Sequence, residues 1–253
     1  MGGQIKILGI SASTRQGNSE YLLDVVLEAA KEAYPDLVKT EKYTFVGKKI
    51  NPCIACYACM NNKGECVLKD NFQELRDKWI DADVVIYSVP VYTLGIPGML
   101  KNFFDRLANS LAFKYWKSDK MPVAQKYLKV IGAVAQGMHI FSGQELAIIN
   151  IITHALAMGC IPVTGDMWDS YIGVGGWTKL RLSRKAIREN YEQGEPVTQV
   201  TIRAAKSLGI RAVETALILR SGLVDKKDIL KSSDVYTFIR EKLKLLEGGK
   251  VEG

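Results

Sequence analysis

Cysteine is scarce in this 253-residue chain: there are five, and four of them are confined to positions 51–70. Long apolar runs are missing. The longest, VVIYSVPVYTLGIPGML at 84–100, is broken by Pro90, Gly95, Pro97 and Gly98, whereas a membrane helix needs about 20 consecutive apolar residues. The stretch from Met1 to Ser13 is too short for an export signal and lacks a cleavage signature. These absences lead to the expectation of a cytoplasmic protein with no membrane partner. Charge is not concentrated either. The net charge is +7, but the basic residues are scattered and no nucleic-acid motif accompanies them, so no nucleic-acid partner is expected. Neither G-x-x-x-x-G-K-[ST] nor G-x-G-x-x-G occurs, and the missing Walker lysine argues against a nucleotide hydrolase. What remains, 47% hydrophobic and 24% charged, is an ordinary globular composition, long enough for one large domain or one domain with an appendage.

The crowded cysteines stand in NPCIACYACMNNKGECVLKD, at Cys53, Cys56, Cys59 and Cys66. Disulfides would need an oxidising compartment, and spacings of two residues suit metal better. A structural zinc site usually joins two Cys-x-x-Cys pairs from separate turns, which makes a third cysteine two residues on awkward, though zinc stays open on spacing alone. The run C-x2-C-x2-C-x6-C begins with the spacing that wraps a [4Fe–4S] cubane in bacterial ferredoxins, and thiolate is the soft ligand such clusters select. In ferredoxins the fourth cysteine follows after three residues, precedes proline and serves a second cluster. Here it follows after six, Val67 comes next, and no second set exists. Cys66 is therefore expected to close the same cluster, with Asn61 to Glu65 as the connecting turn.

Around this motif, apolar runs alternate with amphipathic ones. Strands are predicted over 5–10, 42–46, 83–89, 128–136 and 160–166, and helices after the loop 11–19 and over 71–82, 95–109 and 142–159. Tyr21, Leu22, Val25, Val26, Ala29 and Ala30 set the stripe of the first helix. Alternating β and α implies a doubly wound, five-stranded parallel sheet. The expected order is 2-1-3-4-5, with a ligand at the carboxyl ends of the strands. The loops that should carry the chemistry are SASTRQGNS, PVYTLGIPG and QGMHIFSGQE. The first offers backbone N–H groups, hydroxyls and a helix N-terminus to an anion. It reads equally well as a plain strand–helix turn capped by Asn18 or Ser19. The second lets Tyr92 line a flat, mostly apolar slot. A phosphate at one end and an aromatic ring system at the other is the shape of FMN.

The sequence resembles the archaeal and anaerobe-type iron–sulfur flavoproteins, a branch of the flavodoxin-like, NADPH-dependent FMN reductase family. The resemblance rests on the four cysteines, SASTRQGNS, the PVY opening of the second loop and SGQE at 142–145, and covers about residues 4–166. It implies that Ser11, Ser13, Thr14, Arg15, Gly17, Asn18 and Ser19 hold the FMN phosphate. It also implies that Pro90, Val91, Tyr92, Thr93, Leu94 and Gly95, with Gln136, Gly137, Met138, His139 and Gly143, border the isoalloxazine ring. The sequence departs from its relatives at SAST, where they often carry Ser-Pro-Arg, and at Ser142, where a second glycine is expected. The resemblance further implies an FMN-dependent oxidoreductase that draws electrons from a ferredoxin-like donor and delivers them to a small acceptor such as dioxygen, peroxide or a quinone. Homo-oligomers, dimers or tetramers, are implied too, with the cluster of one subunit near the FMN of another. The close variant is an NAD(P)H-dependent FMN or quinone reductase. The alternative of a different class is a zinc-stabilised interaction module without turnover.

Other residues read as less informative. His139 either contacts the flavin or is simply exposed, and His154 reads as structural. Cys160 reads as an inert buried thiol. Tyr57 shields the cluster or only packs. Residues 1–166 are expected to form the flavin domain with the cluster loop at 51–70, and residues 167–253 an arm and C-terminal helices on the same domain. Within that extension, 168–196 reads either as an arm embracing a neighbour or as a surface excursion, and long helices follow over 197–219 and 224–248. Positive charge from Arg181 to Arg188 suits an acidic ferredoxin or a solvated face equally.

Overall fold

The computed structural model describes residues 3–115, 124–166 and 168–246. Residues 1–2, 167 and 247–253, where the two predicted segments begin, meet and end, lie outside the described residues. The last two positions of the predicted terminal helix fall there as well.

Five parallel strands build the frame: β1 (Ile5–Ser11), β2 (Val38–Thr44), β3 (Val84–Pro90), β4 (Val130–Gly137) and β5 (Ile161–Val163). Their order is β2-β1-β3-β4-β5, as expected. Both faces are covered, so the central strands read as continuous apolar runs. Successive residues still alternate between two cores. Leu8, Ile10, Val85, Tyr87 and Val89 join one cluster, and Ile5, Ile7, Val84 and Ile86 the other. The first cluster is closed by α3 (Phe72–Asp81), α4 (Gly98–Lys114), α5 (Gln144–Ala157) and α8 (Thr237–Leu246). The second is closed by α1 (Asn18–Ala33) and the 30-residue α7 (Pro196–Asp225).

Expectations about two strands are corrected. Strand β2 starts four residues earlier than its apolar end suggested, because Val38 pairs with Ile5 at the sheet edge, where Lys39 and Glu41 face outward. The sheet has six strands, not five. The fifth position is shared, with β5 pairing Val130–Gly132 and β6 (Val174–Trp177) pairing Val134–Gly137. Glycine hid β6 in the sequence, yet glycine is what lets it lie so close. A Cβ on Gly176 would stand 2.9 Å from the Cβ of Gln136 and 3.0 Å from Leu22. Within 168–196, the stretch from Ala186 to Glu192 folds back on this chain. A short helix, α6 (Ala186–Glu192), buries Ala186 and Ile187 against α1 and α7.

The chain's C-terminal part is anchored at the amino ends of the strands. Asp83 pairs with Arg220 of α7 at 2.6 Å and with Lys242 of α8 at 2.7 Å. Beside it, Lys129 is buried, donates to the carbonyls of Ile80 and Ala82, and lies 4.9 and 5.1 Å from the rings of Trp79 and Phe238. Burial drives its ammonium well below the ordinary lysine range. Among the described residues no helix is long and apolar enough to cross a membrane.

Candidate functional site

The cysteine loop is held by backbone bends that most side chains avoid. Ala55, Tyr57 and Lys63 adopt left-handed conformations, with φ of 51, 54 and 46°, and Gly64 does so at 81°. One short helical turn, α2 (Ala58–Asn61), separates Cys56 from Asn62. Gly64 closes the loop, its N–H donating to Cys59 O at 2.9 Å. Ser110 of α4 donates to Gly64 O at 2.6 Å. A Cβ at Gly64 would sit 2.3 Å from Ser110 O, so only glycine lets the turn dock there.

Cys53, Cys56, Cys59 and Cys66 line one cavity of about 80 Å3, walled also by Ile54, Tyr57 and Val67 and floored by Arg106, Asn109 and Ser110 of α4. Among the described residues no three His, Cys, Asp or Glu side chains form a group that could hold a metal ion. All four thiols are free. The donor set nevertheless fits an iron–sulfur cluster: soft ligands around a largely apolar chamber, with hydrogen-bond donors to sulfur. Arg106 Nη2 reaches Cys66 Sγ at 3.4 Å, and Asn109 Nδ2 reaches Cys53 Sγ at 3.7 Å. Burial pushes the Cys59 thiol up, a backbone hydrogen bond opposes it, and the neighbouring Cys66, Cys56 and Cys53 add to the rise.

Arg106 and Asn109 carried no motif and were missed in the sequence. Their signal is weak: Asn102, Arg106 and Asn109 recur at helical spacing along one line of a helix that also carries Lys101, Asp105, Ser110 and Lys114. Asn102 Nδ2 donates to Ile50 O at 2.9 Å, tying α4 to the start of the cysteine loop.

The second site gathers the three predicted loops at the carboxyl ends of the strands. The loop after β1 is closed by Ser13, whose hydroxyl donates to Arg15 O at 2.6 Å. Helix α1 begins at Gly17 with no side chain capping it, which leaves its first N–H groups for an anion. The Ser11 hydroxyl at the loop's base is buried and without a partner. Ser19 accepts from Gln136 Nε2 at 3.2 Å, which leaves the hydroxyl proton available to donate. Asn18 is engaged elsewhere. Its amide donates to Ser183 O at 3.1 Å and accepts from the Ile187 N–H at 3.0 Å, so it offers an anion only its backbone. Thr14 and Arg15 are exposed at the tip, and Arg184, Lys185 and Arg188 line an open groove with Gln16 and Gly17. Arg181 is not part of it, being paired to Glu189 and to Asn190 Oδ1 at 2.7 Å.

The two other loops touch. Val91 donates to Gln136 O at 2.9 Å, following the Pro90–Gln136 pairing of β3 and β4. Tyr92 and Gly95 exchange backbone bonds of 3.0 and 3.1 Å around Thr93 and Leu94, both left-handed. Gly143, with φ 97°, meets them: its Cβ would lie 2.5 Å from the Leu94 backbone. Ser142, standing where a glycine was expected, fastens the turn by donating to His139 O at 2.6 Å and accepting from the His139 N–H at 3.2 Å. Gly137 admits it, since a Cβ there would collide with Ser142 Oγ at 2.1 Å. His139 is exposed and enters the turn through its backbone. Leu180 N and the Trp177 indole both donate to Met138 O, so the end of β6 and the turn after it support the same loop. Tyr92, Leu94, Met138, Ile140 and Phe141 leave an exposed apolar rim. An orphan serine, an uncapped helix start and an apolar rim fit a phosphate-bearing aromatic cofactor.

The remaining candidates are structural. His154 stacks on Phe104 at 3.7 Å, and burial lowers its pKa to about 4. Cys160 is buried, its thiol pushed up to about 12.

Comparisons with known proteins agree with this geometry. The family described as NADPH-dependent FMN reductase matches residues 5–167. An iron–sulfur flavoprotein of Archaeoglobus fulgidus is 31% identical over 80% of this chain and 96% of its own. One from Methanocaldococcus jannaschii is 31% identical over 78% of this chain and 93% of its own. Among solved structures, the NAD(P)H:quinone oxidoreductase of Methanothermobacter marburgensis shares the fold with a TM-score of 0.55 at 13% identity, over 82% of this chain and 98% of that one. The chain belongs to the NADPH-dependent FMN reductase family of FMN-dependent oxidoreductases, on its iron–sulfur flavoprotein branch.

Proposed function

We propose that this chain is a cytoplasmic electron-transfer flavoprotein that holds a [4Fe–4S] cluster on Cys53, Cys56, Cys59 and Cys66 and FMN on the three loops at the carboxyl end of the sheet. It takes electrons from a ferredoxin-like donor and hands them to a small acceptor such as dioxygen, peroxide or a quinone. The observation that carries this reading is that one helix serves both sites. Helix α4 starts immediately after the Tyr92–Gly95 turn and floors the thiol cavity at Arg106 and Asn109. Eight residues separate Gly98 from Arg106, about 12 Å at 1.5 Å per residue.

A cubane supplies single electrons and a flavin one or two, so together they interconvert the two kinds of transfer. The protein's own residues supply position. The hydroxyls of Ser11 and Ser19 and the uncapped start of α1 bind the phosphate end, and Ser13 holds the loop's shape. The Tyr92–Gly95 and Gly137–Gly143 turns orient the ring and exclude water from one face. Arg106 and Asn109 orient the thiolates of Cys66 and Cys53. Arg184, Lys185 and Arg188 line a groove whose carboxylates, Glu20 and Asp24, are both paired with Lys42, which leaves its cations to suit an acidic donor. The exposed rim at Leu94, Ile140 and Phe141 suits a second copy of the chain, bringing its cluster loop to this flavin.

Anaerobically purified protein is expected to be brown-yellow, with equimolar FMN, about four irons and four acid-labile sulfides per chain. Cys59→Ala is expected to strip or convert the cluster while FMN stays bound. Colourless or plain yellow protein holding zinc would overturn the reading. The family's name favours one variant, direct reduction by NADPH. Rapid bleaching of the flavin by NADPH without any ferredoxin would support that variant over the ferredoxin-fed one.

A further inference from the structure

The cavity's floor carries a group that no ligand motif accounts for. Arg106 is 2% exposed, a guanidinium inside the first core. Both oxygens of Asp70 take hydrogen bonds from its Nη1, at 2.8 and 2.7 Å. Its Nη2 divides between Leu68 O at 2.8 Å and Cys66 Sγ at 3.4 Å. The guanidinium lies 4.3 Å from the Phe72 ring centroid, which fixes its plane. Asp70 in turn accepts from Phe72 N–H at 2.9 Å at the start of α3. One side chain thus ties α4, the start of α3 and the returning limb of the cysteine loop to a single sulfur.

Burying a charged pair is costly, and an apolar pair of similar volume would fill the same core at least as stably. A planar cation is useful here because its fork can bind a carboxylate on one nitrogen and spare the other for a second acceptor. Hydrogen bonds and positive charge at a thiolate stabilise the form with more negative charge, which in a cluster is the reduced one. Cys66 is also the cysteine farthest along the chain from the compact Cys53–Cys59 run, and so the one most in need of an external support.

We propose that Arg106 is a positioning residue for the Cys66 corner of the cluster, holding that sulfur in register with the other three and raising the cluster's reduction potential. The inference rests on the cluster reading above. The test uses whole, anaerobically purified protein. Arg106→Lys keeps a cation for Asp70 but replaces the fork with a single point donor, which cannot serve Asp70 and Cys66 together. Arg106→Gln with Asp70→Asn removes both charges and leaves no carboxylate stranded. In each, iron and sulfide content is expected to stay near wild type. The reduced-to-oxidised ratio at fixed electrode potential is expected to fall about tenfold, a shift of about 59 mV to lower potential for one electron. A chelator is expected to strip iron several-fold faster. Asn109→Ala, which removes the longer bond to Cys53, is expected to shift the potential less. Potentials unmoved in folded, cluster-loaded Arg106→Lys or in the double variant would overturn this inference alone. Wild-type protein without iron and sulfide would overturn the cluster reading and this inference with it.

Discussion

A glycine decides how the two loops of the proposed ring site meet. Gly143 is left-handed at φ 97°, and its missing Cβ is what allows the Leu94 backbone to approach within 2.5 Å of that position. Alanine there would meet two costs at once: about 1–2 kcal/mol for a side chain in the left-handed region, and a clash with main-chain atoms that cannot rotate away. Gly143→Ala is therefore expected to part the two loops and weaken FMN binding at least tenfold, or about 1.4 kcal/mol. Titration of the apoprotein by flavin fluorescence quenching checks this, with an unchanged iron content as the control. The same residue scale separates what the sequence disclosed from what it did not. Cys53, Cys56 and Cys59 lie two residues apart, so their chemistry is local and legible. Arg106 meets Asp70 and Cys66 across 36 and 40 residues, and only the fold brings them together. The partners of the Asn18 side chain were hidden for a similar reason. Its type and position suit a phosphate loop, but Ser183 and Ile187, more than 160 residues on, claim its side chain.

Among the elements, β1 and β3 were legible because strands buried on both faces must be apolar throughout. β6 was not, because Gly175 and Gly176 make up half of it and carry no strand preference of their own, and Gly176 is where its close approach to β4 leaves no room for a Cβ. α7 was legible in kind but not in length. The glycine that made it look imperfect, Gly209, is where it presses hardest on α1. A Cβ there would stand 2.2 Å from Val26 O. Replacing a helical glycine by alanine normally gains up to about 1 kcal/mol in propensity. Here the obstacle is another helix's carbonyl, and forcing extra volume into packed contacts costs about 1–3 kcal/mol. The second effect wins. Gly209→Ala is expected to lower Tm by several degrees, at about 2–4 °C per kcal/mol for a chain of this size, as calorimetry would read.

At the scale of the molecule, the sheet's two ends do different work. The carboxyl ends of the strands carry the loops proposed for the ring and phosphate, while the amino ends carry the lock that fastens the C-terminal helices. Asp83 is the centre of that lock, accepting from the Lys6 N–H at 2.9 Å and pairing with Arg220 and Lys242. Burial by itself would raise this carboxyl. Lys242, the Lys6 N–H and Arg220 together outweigh burial and hold it below the usual carboxylate range. A carboxyl whose folded pKa is depressed binds fewer protons in the folded state than in the unfolded one. Its stabilisation is therefore complete above the unfolded value of about 3.9 and is lost as pH falls through the lower folded value. Asp83→Asn leaves two cations without their counter-charge, and is expected to cost about 2–4 kcal/mol at pH 7, less than a fully buried pair because water still reaches the site. Urea denaturation at pH 7 should show that gap between wild type and variant. Repeated in steps from pH 4 downward, it should show the gap closing as wild-type Asp83 takes up its proton. A gap that stayed constant into strong acid would mean that the lock depends on the shape of the side chain and not on its charge.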